Sequence, residues 1–395
     1  EFRKMSDPNK RLLLIPGPIE FHESVLAANG RQTLSHVDPG FINTFGETIE
    51  QIRSVVLTET GQPFVMSGSG TLGLEAVASN LIQRGDKALV CNTGYFADAM
   101  TDCLTRFGAE VTEVKSPLGE AVDVEAVVAA LHVGPFKLLH IIHVESSLSI
   151  GNDIETIALA ARKIQPEILI CVDGVCATGA EELRFDAWDI DAAFTGSQKA
   201  CGVPPGLMIL VLSQRAMKHI KPQTYYSDLT RWLPIMQAYE KRVGSYFCTP
   251  SVNLVVALNV SLTRLLNVYG GMEKIFVTMK TIGQNMRDRV LAMGLKLVSP
   301  SGKGASNTMT SIYYPDNVDG GQFRSAMSKH NCIIAGGLHP AIKTKYFRIG
   351  HMGISALEPE RGHLEQLVAA MESCLRECGH VFPKDYVPSQ PLAQL

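Results

Sequence analysis

The stretch Thr195-Gly196-Ser197-Gln198-Lys199-Ala200-Cys201-Gly202-Val203-Pro204-Pro205-Gly206 organises the reading of this chain. An apolar run, 190–194, leads into it and another, 207–212, leads out. Lys199 therefore sits in a Gly/Ser/Pro-rich turn between two strands that read as buried. Upstream, the apolar run 168–172 ends at Asp173. Taken alone, Lys199 could be a salt-bridged lysine and Asp173 a strand-end turn residue.

Working outward, short apolar runs alternate with amphipathic stretches. Strands are expected at 63–66, 88–92, 110–114, 138–144, 168–172, 192–195 and 207–212. Helices are expected at 41–57, 72–82, 96–107, 124–131 and 153–164. Near-continuous apolar strands separated by helices predict an α/β fold, a mostly parallel seven-stranded sheet covered on both faces. The run 207–212 follows its predecessor with no helix between them and can add an antiparallel strand. Residues 225–243 read as aromatic and irregular, and 251–269 as one long helix stopped by Gly270-Gly271. A helix at 273–293 follows. Shorter strands at 308–314, 332–335 and 346–349, with helices at 322–329 and 358–377, predict a smaller C-terminal α/β domain. The expected division is an arm at 5–20, a large domain at 21–269, a small domain at 270–382 and a tail at 383–395.

Composition narrows the function classes. Of 395 residues, 46% are hydrophobic and 19% charged, so sizeable cores can form. The net charge of −3 and the lack of a long basic block argue against nucleic acid as a partner. No eighteen-residue apolar run is present, so no membrane-spanning helix is expected. The nine cysteines form no CxxC pair, which points to a reducing compartment. No histidine spacing such as HExxH occurs, and no metal is expected. Glu1 to Lys4 precede Met5 and are set aside as a remnant. Ala393-Gln394-Leu395 is a degenerate relative of a peroxisomal address, so the expected location is cytoplasmic or peroxisomal.

Gly68-Ser69-Gly70-Thr71-Leu72-Gly73 follows a strand and opens a helix. Free amides and the helix dipole favour a phosphate there, with Ser69 and Thr71 adding hydroxyls. A dinucleotide site expects an acidic residue at the end of the next strand, about 20 residues on. That strand ends at Cys91-Asn92, and Asp86 precedes it instead. A purely structural turn is the third reading. Tyr95 and Phe96 follow another strand, and one of them can stack on a flat ring. His143 reads as a core histidine, while Ser146 can bond a ring substituent. Arg348 lies inside an apolar strand, where an acid from the protein or a ligand must meet it. A two-point grip on a carboxylate suits arginine. Gly17 in Pro16-Gly17-Pro18 can admit a ligand or simply turn the arm. Together, a lysine for covalent attachment, an aspartate for a ring nitrogen and a phosphate loop match the needs of pyridoxal phosphate.

The run of segments LLLIPGPIEF, SGSGTLGLEA, NTGYFADAM, HVESSLSIG, CVDGVCATG, TGSQKACGVPPG, SYFCTPSVN, AGGLHP and FRIGHMG resembles one family nearly end to end. It is the class V, fold-type I pyridoxal-phosphate aminotransferases, most nearly the alanine–glyoxylate and serine–pyruvate branch. The resemblance implies that Lys199 carries the cofactor covalently and Asp173 pairs with its ring nitrogen. Phe96 would stack on the ring and Ser146 contact its hydroxyl side. Ser69, Gly70, Thr71 and Gln198 would hold the phosphate. Tyr246 and Thr249 would reach the phosphate of a neighbouring subunit, implying a homodimer with shared sites. Arg348 and Gly17 would bind the substrate. Two departures stand out: Thr71 where some relatives have histidine, and a loop HVESSLSIG longer than HGESSTG. Amino transfer from L-alanine to glyoxylate is the implied reaction. Serine–pyruvate, serine–glyoxylate and 3-hydroxykynurenine transaminases are the alternatives. A nucleotide-binding regulatory module would explain the glycine loop but not Lys199, Asp173 and Arg348 together.

Overall fold

A computed structural model describes residues 10–299, 302 and 304–388. Ala393-Gln394-Leu395 and the first residues, Glu1 to Met5, lie outside that range. The strands are Leu12–Leu13 (β1), Gln62–Gly68 (β2), Lys87–Asn92 (β3), Glu110–Lys115 (β4), Leu138–Ile142 (β5), Val144–Glu145 (β6) and Ile150–Gly151 (β7). They continue with Leu169–Asp173 (β8), Ala192–Gly196 (β9), Gly206–Leu212 (β10), Met309–Tyr313 (β11), Cys332–Ile333 (β12), Ala335–Gly336 (β13) and Tyr346–Gly350 (β14).

Seven of these form one sheet in the order β2-β10-β9-β8-β5-β3-β4. The run from β9 to β4 is parallel, whereas β10 is antiparallel to both its neighbours. The reversal follows from the connection: a turn without a crossover helix can only bring the chain back antiparallel. Every residue of β5, β8 and β9 is buried, as two covered faces require. The edge strand β4 is the least buried of the set. Aspartates at 38, 123, 153, 228 and 319 cap helices by accepting first-turn N–H groups, each worth about 1 kcal/mol.

The smaller sheet is β11-β14-β13, all antiparallel. The N-terminal arm joins the two parts. Its β1 pairs parallel with β12, Leu12 against Cys332. Gly350 N–H donates to the Leu14 carbonyl at 2.8 Å, and Ile19 N–H donates to the Gln198 carbonyl at 3.2 Å. Pro16-Gly17-Pro18 is thereby strung between the small sheet and the Lys199 turn.

Several expectations need correction. Residues 225–243 contain a helix, Leu229–Glu240. Pro234 disguises it, but Leu229, Trp232, Ile235, Met236 and Tyr239 share a buried face that outweighs the proline's lost donor. The long helix at 251–269 is α-helical only over Val252–Thr263 and widens to a π turn over Arg264–Val268. Gly270 and Gly271, at φ 87° and 85°, end it. The helix expected from 358 begins at His363, after a 3₁₀ turn at Pro359–Arg361 and Gly362 at φ 65°. The strand expected at 332–335 splits between two sheets, β12 against β1 and β13 against β14. The strand expected at 138–144 breaks at His143, whose N–H donates to the Asp173 carbonyl.

Candidate active site

The carboxyl ends of β2, β3, β5, β8 and β9 border a cavity of about 170 Å³. It collects Ser69, Gly70, Thr71, Phe96, Ser146, Asp173, Gln198 and Lys199. Leu74, Ile142, Val144, Val175 and Cys176 also line it, unanticipated from sequence because nothing but tertiary packing distinguishes them from core residues.

Lys199 follows β9. The turn after it is held by Ser197, whose hydroxyl donates to the Pro204 carbonyl at 2.8 Å and accepts from Leu207 N–H at 3.2 Å. The Lys199 Nζ donates to the Pro16 carbonyl at 2.9 Å. A Cβ on Gly17 would stand 2.4 Å from Lys199 Cδ, and Gly17 has φ +136°. The positive φ favours glycine there, and a side chain would crowd the lysine. Gly17 thus gives close access to the lysine itself.

Asp173 ends β8 and is 6% exposed. One carboxylate oxygen accepts Val175 N–H at 2.9 Å. Burial pushes its pKa up to about 7, opposed by the Val175 N–H and Lys199 and reinforced by Glu145. A carboxyl in this position gains most from a cationic N–H partner. Burial also raises Glu145, which accepts from Phe96 N–H at 3.1 Å and the Ser147 hydroxyl at 2.6 Å. Glu145 was not anticipated, yet it fixes the start of the helix that carries Phe96. On that helix Phe96 faces the cavity, while Tyr95 is 40% exposed and meets Phe96 edge-on.

On the same cavity, helix Thr71–Leu81 starts without a side-chain cap. A Cβ on Gly70 would lie 2.8 Å from Val175 Cγ2. Gln198 Oε1 is buried without a partner. An amide can be turned to present its NH₂ group instead. Asp86, the acid a dinucleotide site would need, accepts Gln83 N–H in a turn and does not line the cavity. His143 is buried and kept neutral, its pKa pushed down to about 4 by burial, in keeping with a core histidine.

Arg348 lies at the centre of β14. Its Nε donates to the Gly336 carbonyl at 2.9 Å and Nη1 to the Ser146 carbonyl at 3.0 Å. Among the described residues no carboxylate bonds it, and burial pushes its pKa down. Ser146 therefore meets Arg348 through its backbone. Tyr346, two residues earlier on the same strand face, was not singled out. Its hydroxyl accepts Leu338 and His339 N–H at 2.9 Å and donates to the Ser147 carbonyl at 2.5 Å. It draws the small sheet onto the 146–147 turn. The longer loop closes as a hairpin of β6 and β7, with Ser149 in a left-handed conformation at φ 64°. The extra length is absorbed beyond Ser146. Tyr246 is 62% exposed, and neither it nor exposed Thr249 lines this chain's own cavity.

An uncapped helix start, an unpartnered Gln198, a buried carboxyl and a lysine amine around one cavity suit a ring with a phosphate arm and a basic nitrogen. Residues 19–355 match the family model described as Aminotransferase class-V. Alanine–glyoxylate aminotransferase 1 of Saccharomyces cerevisiae is 37% identical over 87% of this chain and 92% of its own. L-aspartate–glyoxylate aminotransferase of Paracoccus denitrificans is 31% identical over 86% of each chain. The crystal structure of alanine–glyoxylate aminotransferase from Nostoc sp. superposes with a TM-score of 0.85 at 30% identity, covering 94% of this chain and 97% of that one. The lysine and buried aspartate singled out from the sequence thus sit in a shared architecture, and the chain belongs to the class V aminotransferases, as a pyridoxal-phosphate-dependent transaminase of the alanine– and serine–glyoxylate group.

Proposed function

We propose that this transaminase moves the amino group of L-alanine to glyoxylate, giving pyruvate and glycine. The observation that carries the choice is Arg348, a half-buried guanidinium held by two carbonyls and left without a carboxylate partner among the described residues. It suits a substrate with a single carboxylate, and it bonds the carbonyl of Ser146, which lines the cavity. The likeness to the yeast alanine–glyoxylate enzyme supports the same reading.

Bound pyridoxal phosphate supplies an electron sink that makes a substrate Cα–H acidic. Asp173 would hold the proton on the ring nitrogen, since a buried carboxyl shares a proton rather than stand as a bare charge. Ser69, Gly70, Thr71 and Gln198 would hold the phosphate against the helix N-terminus. Phe96 would cover one ring face. Lys199 Nζ would act as the general base that takes the substrate Cα proton and returns it. The Pro16 carbonyl orients that amine. Arg348 would fix the substrate carboxylate so that the Cα–H faces Lys199.

The active unit on this reading is a homodimer. Tyr246 and Thr249 stand exposed beside other uncovered side chains, Val243 and Tyr225, where a second subunit's phosphate would meet them. Assaying alanine, serine, aspartate and 3-hydroxykynurenine as donors, each with glyoxylate and with pyruvate, tests the reading. Alanine with glyoxylate should give the highest kcat/KM, in material that sediments as a dimer. Serine or 3-hydroxykynurenine leading the panel, or pyruvate accepting as well as glyoxylate from every donor, would replace the assignment. Full activity as a monomer would remove the shared site.

A further inference from the structure

A cluster of ligand-type side chains stands apart from the cavity and shares no residue with it. His330, Cys374 and Glu377 bring an imidazole nitrogen, a thiol and a carboxylate oxygen all within 4.8 Å of one another. His330 Nε2 and Glu377 Oε1 are already 2.8 Å apart. His330 and Glu377 are partly exposed, 35% and 54%, while Cys374 is buried beneath them. An ion can therefore enter from solvent and meet a thiol at the floor.

The backbone favours a cation at the same point. His330 caps the C-terminus of helix Gly320–Lys329, and Glu377 is the last residue of helix His363–Glu377. Two helices thus end together with their negative dipole ends at the cluster. Arg376, the nearest cationic residue on the second helix, leans over the Phe382 ring at 4.7 Å.

We propose that His330, Cys374 and Glu377 form a zinc site that ties the ends of these two helices together. One thiolate, one imidazole and one carboxylate are a zinc-type donor set, rather than that of magnesium or calcium. Three protein donors leave a fourth position for water or for Cys378, one helical turn beyond Cys374. Binding displaces the thiol proton of Cys374 to solvent. Because the site shares nothing with the catalytic cavity, it serves stability.

The test uses cofactor-loaded enzyme dialysed against buffered zinc, with metal content and Tm as readouts. Wild type should retain one zinc per chain and gain in Tm with zinc. His330→Asn, a change at a partly exposed side chain, and Cys374→Ser should each weaken binding at least about tenfold and abolish the Tm gain. Cys103→Ser, at a thiol elsewhere, should change neither. Zinc absent from wild type, or held equally well by His330→Asn, overturns the proposal and leaves His330–Glu377 as a surface ion pair only.

Discussion

The two ends of the active-site cavity are built in opposite ways. One side comes from strand ends of one sheet, and the backbone that places Asp173 and Lys199 is held by neighbours close in sequence. Asp173 is bonded by Val175, and the Lys199 turn is closed by Ser197 upon Pro204 and Leu207. The Arg348 side, where we propose the substrate binds, exists only when a second sheet docks. Arg348 reaches the Ser146 carbonyl across 202 residues, and Tyr346 reaches Ser147 across 199. Local hydrogen bonds form with the strand, whereas the long-range pair depends on how two cores meet. Cofactor capture and substrate capture should therefore separate under mutation.

The largest effect is expected at the cofactor end. Lys199→Ala should lower transamination roughly 10⁴-fold, the scale of a lost general base, with covalent attachment lost as well. Borohydride reduction followed by peptide mapping should place the cofactor within 195–206 in wild type and nowhere in the variant. Retention of a tenth of the activity would break the comparison at its base.

Arg348→Lys should act on the other end alone. Weakening a buried charge-assisted pair costs about 2–5 kcal/mol, so kcat/KM should fall roughly 10²-fold. The visible absorption of the bound cofactor should stay as in wild type. A parallel loss of cofactor would mean that the two ends are not separable.

The smallest effect concerns Asp173 in cofactor-free protein. Its folded pKa of about 7 lies above the ordinary aspartate value near 4. The folded state therefore holds a proton that the unfolded chain has given up, and stability falls as pH rises from about 4 to about 7. Buried His140, His143 and His351, with pKa values pushed down to about 3, 4 and 3, act with the opposite sign. The difference between wild type and Asp173→Asn isolates the aspartate. The Tm of wild type minus that of the variant should drop across this window. A flat difference would show that Asp173 is already ionised without the cofactor.

Legibility followed the same division. Asp173, Lys199 and the Ser69–Thr71 loop were readable because each stands where an apolar run stops, and a strand end in an α/β sheet is a defined place. Arg348 was readable as a charge inside an apolar strand, but its carbonyl partners were not. Helix Leu229–Glu240 was hidden because Pro234 argues locally against a helix that its buried face stabilises. The split of 332–335 between two sheets was hidden because β1, the partner of its first half, lies at the other end of the chain. Glu145 and Tyr346 gave no signal, since Glu145 holds Phe96 N–H and Tyr346 reaches the Ser147 carbonyl, partners far away in the chain.

By itself, then, the sequence determined the alternation of strands and helices, the reversal at β10 and the lysine, aspartate and glycine loop at the sheet's edge. Apolar periodicity and turn chemistry act over a few residues and can be read along the chain. Tertiary structure alone decided that Gly17 and the Pro16 carbonyl close over Lys199 and that Phe96 rather than Tyr95 faces the cavity. It also decided that Arg348 meets Ser146 and that His330 meets Cys374 and Glu377. Those pairings depend on where separate cores come to rest, and no local pattern encodes that position.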